Sequence, residues 1–210
     1  MTEFQLSVSA ALDSDEVFEA RFGALWVAQG ECVVNNVSIP AGQGWFLKAG
    51  DKIETSARIK TKSVRFALSS LKNEPGPLSG VLLSAPVDLP PDGALLRLDK
   101  VSFPPGATAY RHIHSGAGLR YLVTGELEVV SDMHTETATK GHAWFEPADS
   151  PVRATASKDC PETSFIRFMV IPPEYVGKPT IRFLDKSDAA KPRLQTTHRF
   201  FDEAIQVEPG

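Results

Sequence analysis

The sequence has few of the features that mark secreted, membrane or nucleic-acid-binding proteins. It contains two cysteines, Cys32 and Cys160, without CxxC spacing, so two reduced thiols are expected rather than a disulfide scaffold. No apolar run approaches the roughly 18–20 residues of a membrane-spanning helix, and the first residues do not resemble a secretory signal. The net charge of −4, without a run of Lys or Arg, disfavours nucleic acid as a partner. Together these absences predict a cytoplasmic protein.

Helical periodicity is also scarce. A short helix is predicted to begin near Asp13 or Asp15 and to continue through 17–20. Elsewhere, short apolar or alternating runs are separated by Gly, Pro, Asn and Asp, which is typical of a closed or sandwiched all-β fold. These runs lie at 24–28, 32–34, 94–98, 119–123, 126–130 and 165–171.

Three segments recur in the same order in the two halves of the chain, at offsets of 95, 99 and 102 residues. Residues 23–31 (GALWVAQGE) align with 118–126 (GLRYLVTGE), 45–46 (WF) with 144–145 (WF), and 64–66 (VRF) with 166–168 (IRF). Three matches in a constant order predict an internal duplication.

A proline-rich stretch divides the two copies. It predicts a connector at 76–92, with a short strand at 81–83, between an N-terminal unit, 1–75, and a C-terminal unit, 93–185. A tail is predicted at 186–210.

Histidine is absent from the first half of the chain. Of the five histidines, His112 and His114 are two residues apart, and residues i and i+2 project from the same face of a strand. Their imidazoles can therefore converge on one metal ion. Alternatively, the pair lines a pocket and forms hydrogen bonds with each other or with water. His142 is either a surface residue or a further ligand, whereas His134 and His198 are expected to lie away from the site.

The glycines around this pair give the chain a resemblance to the cupin superfamily. The first cupin motif is G(X)5HXH(X)3–4E(X)6G. Gly106, His112, His114 and Gly125 match four of its five fixed positions, and Gly118 occupies the position of its glutamate.

The second cupin motif, G(X)5PXG(X)2H(X)3N, is matched in part. Gly141 and Pro147 fit, whereas Asp149, Val152 and Ala156 stand where the motif has glycine, histidine and asparagine. The metal site that the resemblance implies is therefore incomplete.

The resemblance implies a double-barrel (bicupin) protein, in which two jelly-roll β-barrels arise by duplication and the second holds the site. It implies a divalent metal, Fe, Mn, Ni or Zn, bound by His112 and His114, and a homodimer is expected. The predicted function is a metal-binding enzyme, such as a dioxygenase, isomerase or lyase, acting on a small anionic or oxygen-rich metabolite. The alternative is a non-catalytic bicupin that binds a small molecule or regulates. The fold alone does not choose among these activities.

Glu146 and Arg120 are the candidates for completing the site. Glu146 lies in an apolar segment, where an unpaired charge is costly, and is predicted as the third metal ligand or the general base. Arg120 lies two residues beyond Gly118, on the same strand face. Because arginine keeps its charge, Arg120 would hold a substrate carboxylate or phosphate. The sequence leaves open that Arg120 and Glu146 instead form a structural ion pair.

Overall fold

The structure is a computed structural model. It describes residues 4–12, 15–56, 59–71, 78–90 and 93–206. The chain divides into two compact units, Met1–Leu89 and Pro90–Gly210, and strands predominate in both. In the described ranges, neither helical segment is long and apolar enough to cross a membrane.

The described part of the first unit contains nine strands. They are β1 (Phe4–Leu12), β2 (Glu16–Val17), β3 (Phe22–Gln29), β4 (Glu31–Val34), β5 (Val37–Pro40), β6 (Gly44–Lys48), β7 (Lys52–Thr55), β8 (Lys62–Ser70) and β9 (Val81–Val87). One sheet has the order β6-β3-β8-β1-β9 and the other β2-β7-β4-β5. Residues from both sheets, including Leu25, Leu47 and Ala67, form an apolar core.

The described part of the second unit contains ten strands and two short helical segments. The strands are β10 (Ala94–Phe103), β11 (Thr108–His114), β12 (Ala117–Thr124), β13 (Glu126–Ser131), β14 (Thr135–Thr139), β15 (Ala143–Glu146), β16 (Val152–Ala156), β17 (Thr163–Ile171), β18 (Ile181–Phe183) and β19 (Thr196–Ile205). A 3-10 turn spans Pro173–Tyr175, and helix α1 spans Lys186–Ala189. The sheet orders are β15-β12-β17-β10-β19 and β14-β13-β16-β11-β18.

The two units have the same topology. In the larger sheets, the two strand orders correspond one to one. Strands β6, β3, β8, β1 and β9 of the first unit match β15, β12, β17, β10 and β19 of the second. The second sheets correspond in the same way, with β18 added beside β11. The all-β fold predicted from the sequence is therefore confirmed, and every predicted apolar run lies within an observed strand. The shared topology supports the predicted internal duplication.

The duplication extends to irregularities in strand pairing. The pairing of β1 with β9 shifts at 8–9, and that of β10 with β19 shifts at 98–99. The pairing of β3 with β8 shifts at 27–29, and that of β12 with β17 shifts at 122–124. A β-bulge inserts a residue and changes the local twist. Because both bulges recur at matching positions, corresponding strand residues can be compared one by one.

The structure differs from the sequence predictions at three places. In place of the helix through 17–20, strand β2 is followed by Phe18 and Ala20, which are both buried. This alternating burial is that of an extended chain rather than of a helix; Asp13 lies outside the described residues. Residues 81–87, predicted as connector with a short strand at 81–83, form the longer edge strand β9 beside β1. Residues 196–205, predicted as tail, form edge strand β19 beside β10.

Candidate functional site

A cavity of about 240 Å³ lies inside the second unit. Five arginines are among the residues that line it: Arg97, Arg120, Arg167, Arg193 and Arg199. Two acidic residues, Asp99 and Glu146, also line it. The excess of guanidinium groups over carboxylates makes the cavity electrostatically suited to an anion.

His112 and His114 both face this cavity from β11. His112 pairs with Val152 on one neighbouring strand and with Phe183 on the other. The pairing of β11 with β16 shifts between Ala109 and His112, so a bulge sets the direction of the histidines. Both side chains are buried, as the i, i+2 spacing predicts for a strand face turned to the barrel interior.

One arrangement of protons satisfies the hydrogen bonds that the two histidines form with each other, with Tyr110 and with Thr180. Nδ1 of His112 is 2.6 Å from the carbonyl oxygen of Tyr110, and it must donate because a carbonyl only accepts. In the neutral ring, Nε2 of His112 then accepts from Nε2 of His114, 3.2 Å away. Nδ1 of His114 accepts from the hydroxyl of Thr180 at 3.2 Å. The two imidazoles are therefore hydrogen-bonded to each other, which is the alternative that the sequence left open.

Burial keeps this histidine pair neutral. Burial lowers the pKa of His112, against an opposing effect of its hydrogen bond to Tyr110. The pKa of His114 is lowered further, first by burial and then by the charge of Arg167. Because desolvation penalises the charged form, both rings are neutral at pH 7.

Arg167 is the neighbour of the histidine pair that the sequence analysis did not select. Its Nη1 is 3.4 Å from Nε2 of His114. Its Nε and Nη2 donate to the two carboxylate oxygens of Asp99, at 2.9 and 2.7 Å. Since Nε2 of His114 carries a proton in the arrangement above, Nη1 of Arg167 faces another donor. An acceptor oxygen from a ligand would satisfy this guanidinium edge.

A sequence signal for Arg167 and Asp99 did exist. Arg167 interrupts an otherwise apolar strand, FIRFMVI, and Asp99 follows the apolar run ALLRL. A charged residue in a strand buried on both faces needs a partner. Their pairing could not be deduced because it depends on the register of β10 with β17, in which the two residues are directly opposite.

Arg120 and Glu146 lie together in the cavity wall. Nη2 of Arg120 is 2.7 Å from Oε2 of Glu146, and the indole N–H of Trp144 donates to Oε1 of Glu146 at 2.9 Å. Burial lowers the pKa of Arg120 to about 10, with Glu146 acting in the opposite direction, so the guanidinium is still charged at pH 7. Arg120 and Glu146 thus form the ion pair that the sequence left open. The other prediction was that Glu146 is a metal ligand and that Arg120 holds the substrate.

In this arrangement the described residues do not provide a complete ligand set for a divalent metal. Each Nε2 atom is used in the bond between the rings, and the guanidinium of Arg167 lies beside His114. Both oxygens of Glu146 have partners. Within the described ranges, no three His, Cys, Asp or Glu side chains are placed to hold a metal ion.

The departures from the cupin motifs have structural reasons. A Cβ atom at Gly118 would overlap the carbonyl oxygen of Phe168 and lie 2.9 Å from Cγ of Met169, so this backbone position excludes a glutamate. Asp149 adopts φ 54°, a conformation that Asp tolerates better than most residues, and its N–H donates to the carbonyl of His114 at 2.8 Å. Val152, at the position of the motif histidine, is a buried part of the cavity lining.

The first unit has a different set of side chains at the corresponding positions. The paired registers place Ser9, Leu25, Leu47 and Arg65 where the second unit has Asp99, Arg120, Glu146 and Arg167. Leu25 and Leu47 belong to an apolar core, so the charged cavity is a property of the second copy.

The three remaining histidines lie outside the cavity lining. Nε2 of His142 donates to the carboxylate of Glu136 at 2.9 Å, and the side chain of His142 is 38% exposed. His134 contacts the same carboxylate. The ring of His198 packs against Phe200. His142 therefore lies at the surface, which is one of the two positions considered for it from the sequence.

Comparisons with known proteins identify the fold. Residues 100–161 match the family described as Cupin domain, which covers less than a third of the chain. No curated protein sequence matches at a significant level.

Solved structures extend the similarity over most of the chain. AerE from Microcystis aeruginosa is 14% identical, with a TM-score of 0.54 over 80% of this chain and 87% of that one. A deletion mutant of Bacillus subtilis oxalate decarboxylase is 11% identical, with a TM-score of 0.57 over 91% and 73%. Vicilin from Corylus avellana is 15% identical, with a TM-score of 0.52 over 80% and 75%. At these identities the likeness establishes the cupin fold alone.

Proposed function

We propose that the cupin barrel of the second unit binds a small organic carboxylate directly, between Arg167 and the histidine pair. The observation that carries the proposal is the position of the Arg167 guanidinium in the cavity: Asp99 holds its Nε and Nη2, and its Nη1 lies 3.4 Å from Nε2 of His114, where it lacks an acceptor in the arrangement that has the proton on this nitrogen. A carboxylate oxygen in this corner accepts from the guanidinium in a charge-assisted hydrogen bond, which is stronger than a neutral one.

The volume of the cavity favours a small ligand. The cavity of about 240 Å³ is smaller than the roughly 300–1,000 Å³ of pockets that hold drug-sized molecules. Apolar side chains, including Val101, Phe103 and Leu127, line it together with the charged groups. The ligand class is therefore a carboxylate with a short chain. The neutral histidine pair next to it can exchange a proton with the bound molecule, so the proposal is compatible with general acid–base catalysis.

The test is a calorimetric titration with hexanoate and with the neutral isostere hexanamide. We expect hexanoate to bind and hexanamide to bind too weakly to detect, because only the carboxylate neutralises the Arg167 edge. Arg167→Lys retains a cation beside Asp99 but loses the planar fork, so hexanoate affinity should fall about tenfold. Arg111→Lys is the matched control, because Arg111 is half exposed on the same barrel and pairs with Asp132. Equal binding of hexanoate and hexanamide, or of neither, would contradict the proposal.

A metal-dependent enzyme is the second candidate, and one observation favours it. Tyr110 and Thr180 each engage the Nδ1 atom of one histidine, as supporting groups do for metal-bound histidines. Because the hydroxyl of Thr180 can also accept a proton, His114 could adopt the tautomer in which its Nε2 is unprotonated.

Metal analysis separates the two candidates. After incubation with Fe(II), Mn(II), Ni(II) or Zn(II) and dialysis, we expect the wild-type protein to retain no stoichiometric metal, and the His112→Ala/His114→Ala variant to behave identically. Retention of one metal per chain in the wild type, with loss in the double variant, would favour the metal-dependent enzyme.

A further inference from the structure

Strand β19 and the residue before it place a row of polar side chains along the cavity. Gln195, Thr197 and Arg199 are spaced by two residues and all line it. This is the spacing at which strand side chains share one face. Arg193, two residues earlier, also lines the cavity, and its guanidinium lies 4.5 Å from the centre of the Phe183 ring. We call residues 193, 195, 197 and 199 the polar row.

Two atoms of the polar row are buried and lack hydrogen-bond partners among the described residues. They are Oε1 of Gln195, an acceptor, and Nε of Arg199, a donor. The other nitrogens of Arg199 are engaged, Nη1 with Asp202 at 3.0 Å and Nη2 with the carbonyl of Lys178 at 3.3 Å. Buried polar atoms without partners are uncommon and costly in folded proteins, so a missing partner is the simplest explanation.

The missing partner must be able both to donate and to accept. Gln195 Oε1 needs a donor, and Arg199 Nε needs an acceptor. These residues are four positions apart on an extended segment, which separates their Cα atoms by roughly 13 Å. One small group does not bridge that distance. Either separate ordered waters or several hydroxyl groups along one ligand chain satisfy both atoms, because water and hydroxyl groups donate and accept, and the experiment below distinguishes the two.

We infer that the ligand of this cavity is a polyhydroxylated carboxylate, whose hydroxyl groups bind the polar row while its carboxylate binds Arg167. The inference rests on the proposed function for the carboxylate end and adds the recognition of the hydroxyl end. The first unit offers no equivalent, since the register places Val81 of β9 where β19 has Arg199.

The experiment compares gluconate with hexanoate, two six-carbon carboxylates that differ in their hydroxyl groups. Calorimetric titrations at fixed pH and ionic strength use the wild type, Gln195→Leu, Arg199→Met and the control His198→Ala. His198 is exposed on the same strand, with its side chain outside the cavity lining. Thermal unfolding of each variant verifies that it is folded.

We expect gluconate to bind the wild type about tenfold more tightly than hexanoate, because each hydroxyl gains hydrogen bonds that the alkyl chain lacks. Gln195→Leu and Arg199→Met should each weaken gluconate binding about fivefold. Gln195→Leu should leave hexanoate binding unchanged, and Arg199→Met, which removes one of the cavity charges, should weaken hexanoate binding less than gluconate binding. His198→Ala should bind both ligands as the wild type does. Gln195→Leu removes no charge, so it remains informative if Arg199→Met destabilises the barrel.

Two results would overturn the inference and leave the proposed function intact. One is equal affinity of the wild type for gluconate and hexanoate. The other is a preference for gluconate that survives in both variants, which would place the hydroxyl groups away from the polar row. Failure of both carboxylates to bind would overturn the proposed function and, with it, this inference.

Discussion

Replacing Arg167 by alanine is expected to lower the free energy of unfolding by about 3–5 kcal/mol, the cost of leaving a buried charge unpaired. Asp99 is 1% exposed, and both of its carboxylate oxygens accept from Arg167. Without the guanidinium, the carboxylate must remain charged in an apolar strand or take up a proton. Chemical denaturation monitored by tryptophan fluorescence measures the change.

The double variant Asp99→Leu/Arg167→Met separates the loss of charge pairing from the loss of packing. Apolar residues of similar size often replace a buried ion pair at little cost, so the double variant should be more stable than Arg167→Ala. Arg182→Ala is the matched surface control, because Arg182 pairs with Asp149 at 3.2 Å and both side chains are more than half exposed. That change should cost less than about 1 kcal/mol. Equal losses from Arg167→Ala and Arg182→Ala would contradict the structural importance of the Asp99 pair.

Adding a side chain at Gly118 is expected to lower the free energy of unfolding by about 3 kcal/mol, at the upper end for overpacking a core. Even the single methyl group of Gly118→Ala would overlap the carbonyl oxygen of Phe168, a backbone atom in the adjacent β17, and would lie 3.0 Å from Cα of Met169. Because backbone atoms fixed in the sheet cannot turn aside as a flexible side chain can, β12 and β17 would have to separate. Thermal and chemical unfolding both measure the effect.

Gly177→Ala provides the control for the Gly118 substitution. Gly177 has φ +71° but nothing within 4 Å of an added Cβ, so its replacement should cost only about 1 kcal/mol through backbone strain. Gly118→Glu, which restores the glutamate of the cupin motif, should be at least as destabilising as Gly118→Ala. A Gly118→Glu variant as stable as the wild type would show that β17 moves to admit the side chain.

The duplicated fold could be predicted because its signals lie in backbone geometry. Gly23 and Gly118 occupy matching positions, and at both an added Cβ would overlap a carbonyl oxygen of the opposing strand. Gly30 and Gly125, which end the repeated segment, both have positive φ. Such positions accept little besides glycine, so the pattern persists in both copies even where the rest of the sequence has diverged.

Strand β19 could not be predicted, because its sequence carries no comparable signal. Strand β19 is largely polar, with the sequence TTHRFFDEAI, and one of its faces lines a cavity that contains charged groups. The strand therefore lacks the alternation of apolar and polar residues by which a strand is recognised in a sequence. Of strand β9, only residues 81–83 were predicted, because prolines surround the segment.

The sequence predicted where the site lies but only some of the residues that form it. The motif located His112 and His114, and counting along β12 from Gly118 placed Arg120 in the cavity lining. The partners of these residues could not be derived, because His114 meets Thr180 across 66 residues and Arg167 meets Asp99 across 68. Such contacts depend on strand register, which no local pattern specifies.

The position of β19 beside β10 has a consequence for how the second unit folds. Ala94 pairs with Ile205 and Ser102 with Thr196, so this side of β10 is unpaired until a segment about 100 residues later in the chain has been synthesised. Contacts between such distant residues form slowly, and an unpaired strand rich in Leu is a template on which other chains can add. During synthesis, this edge of β10 is therefore open to aggregation until β19 has been made.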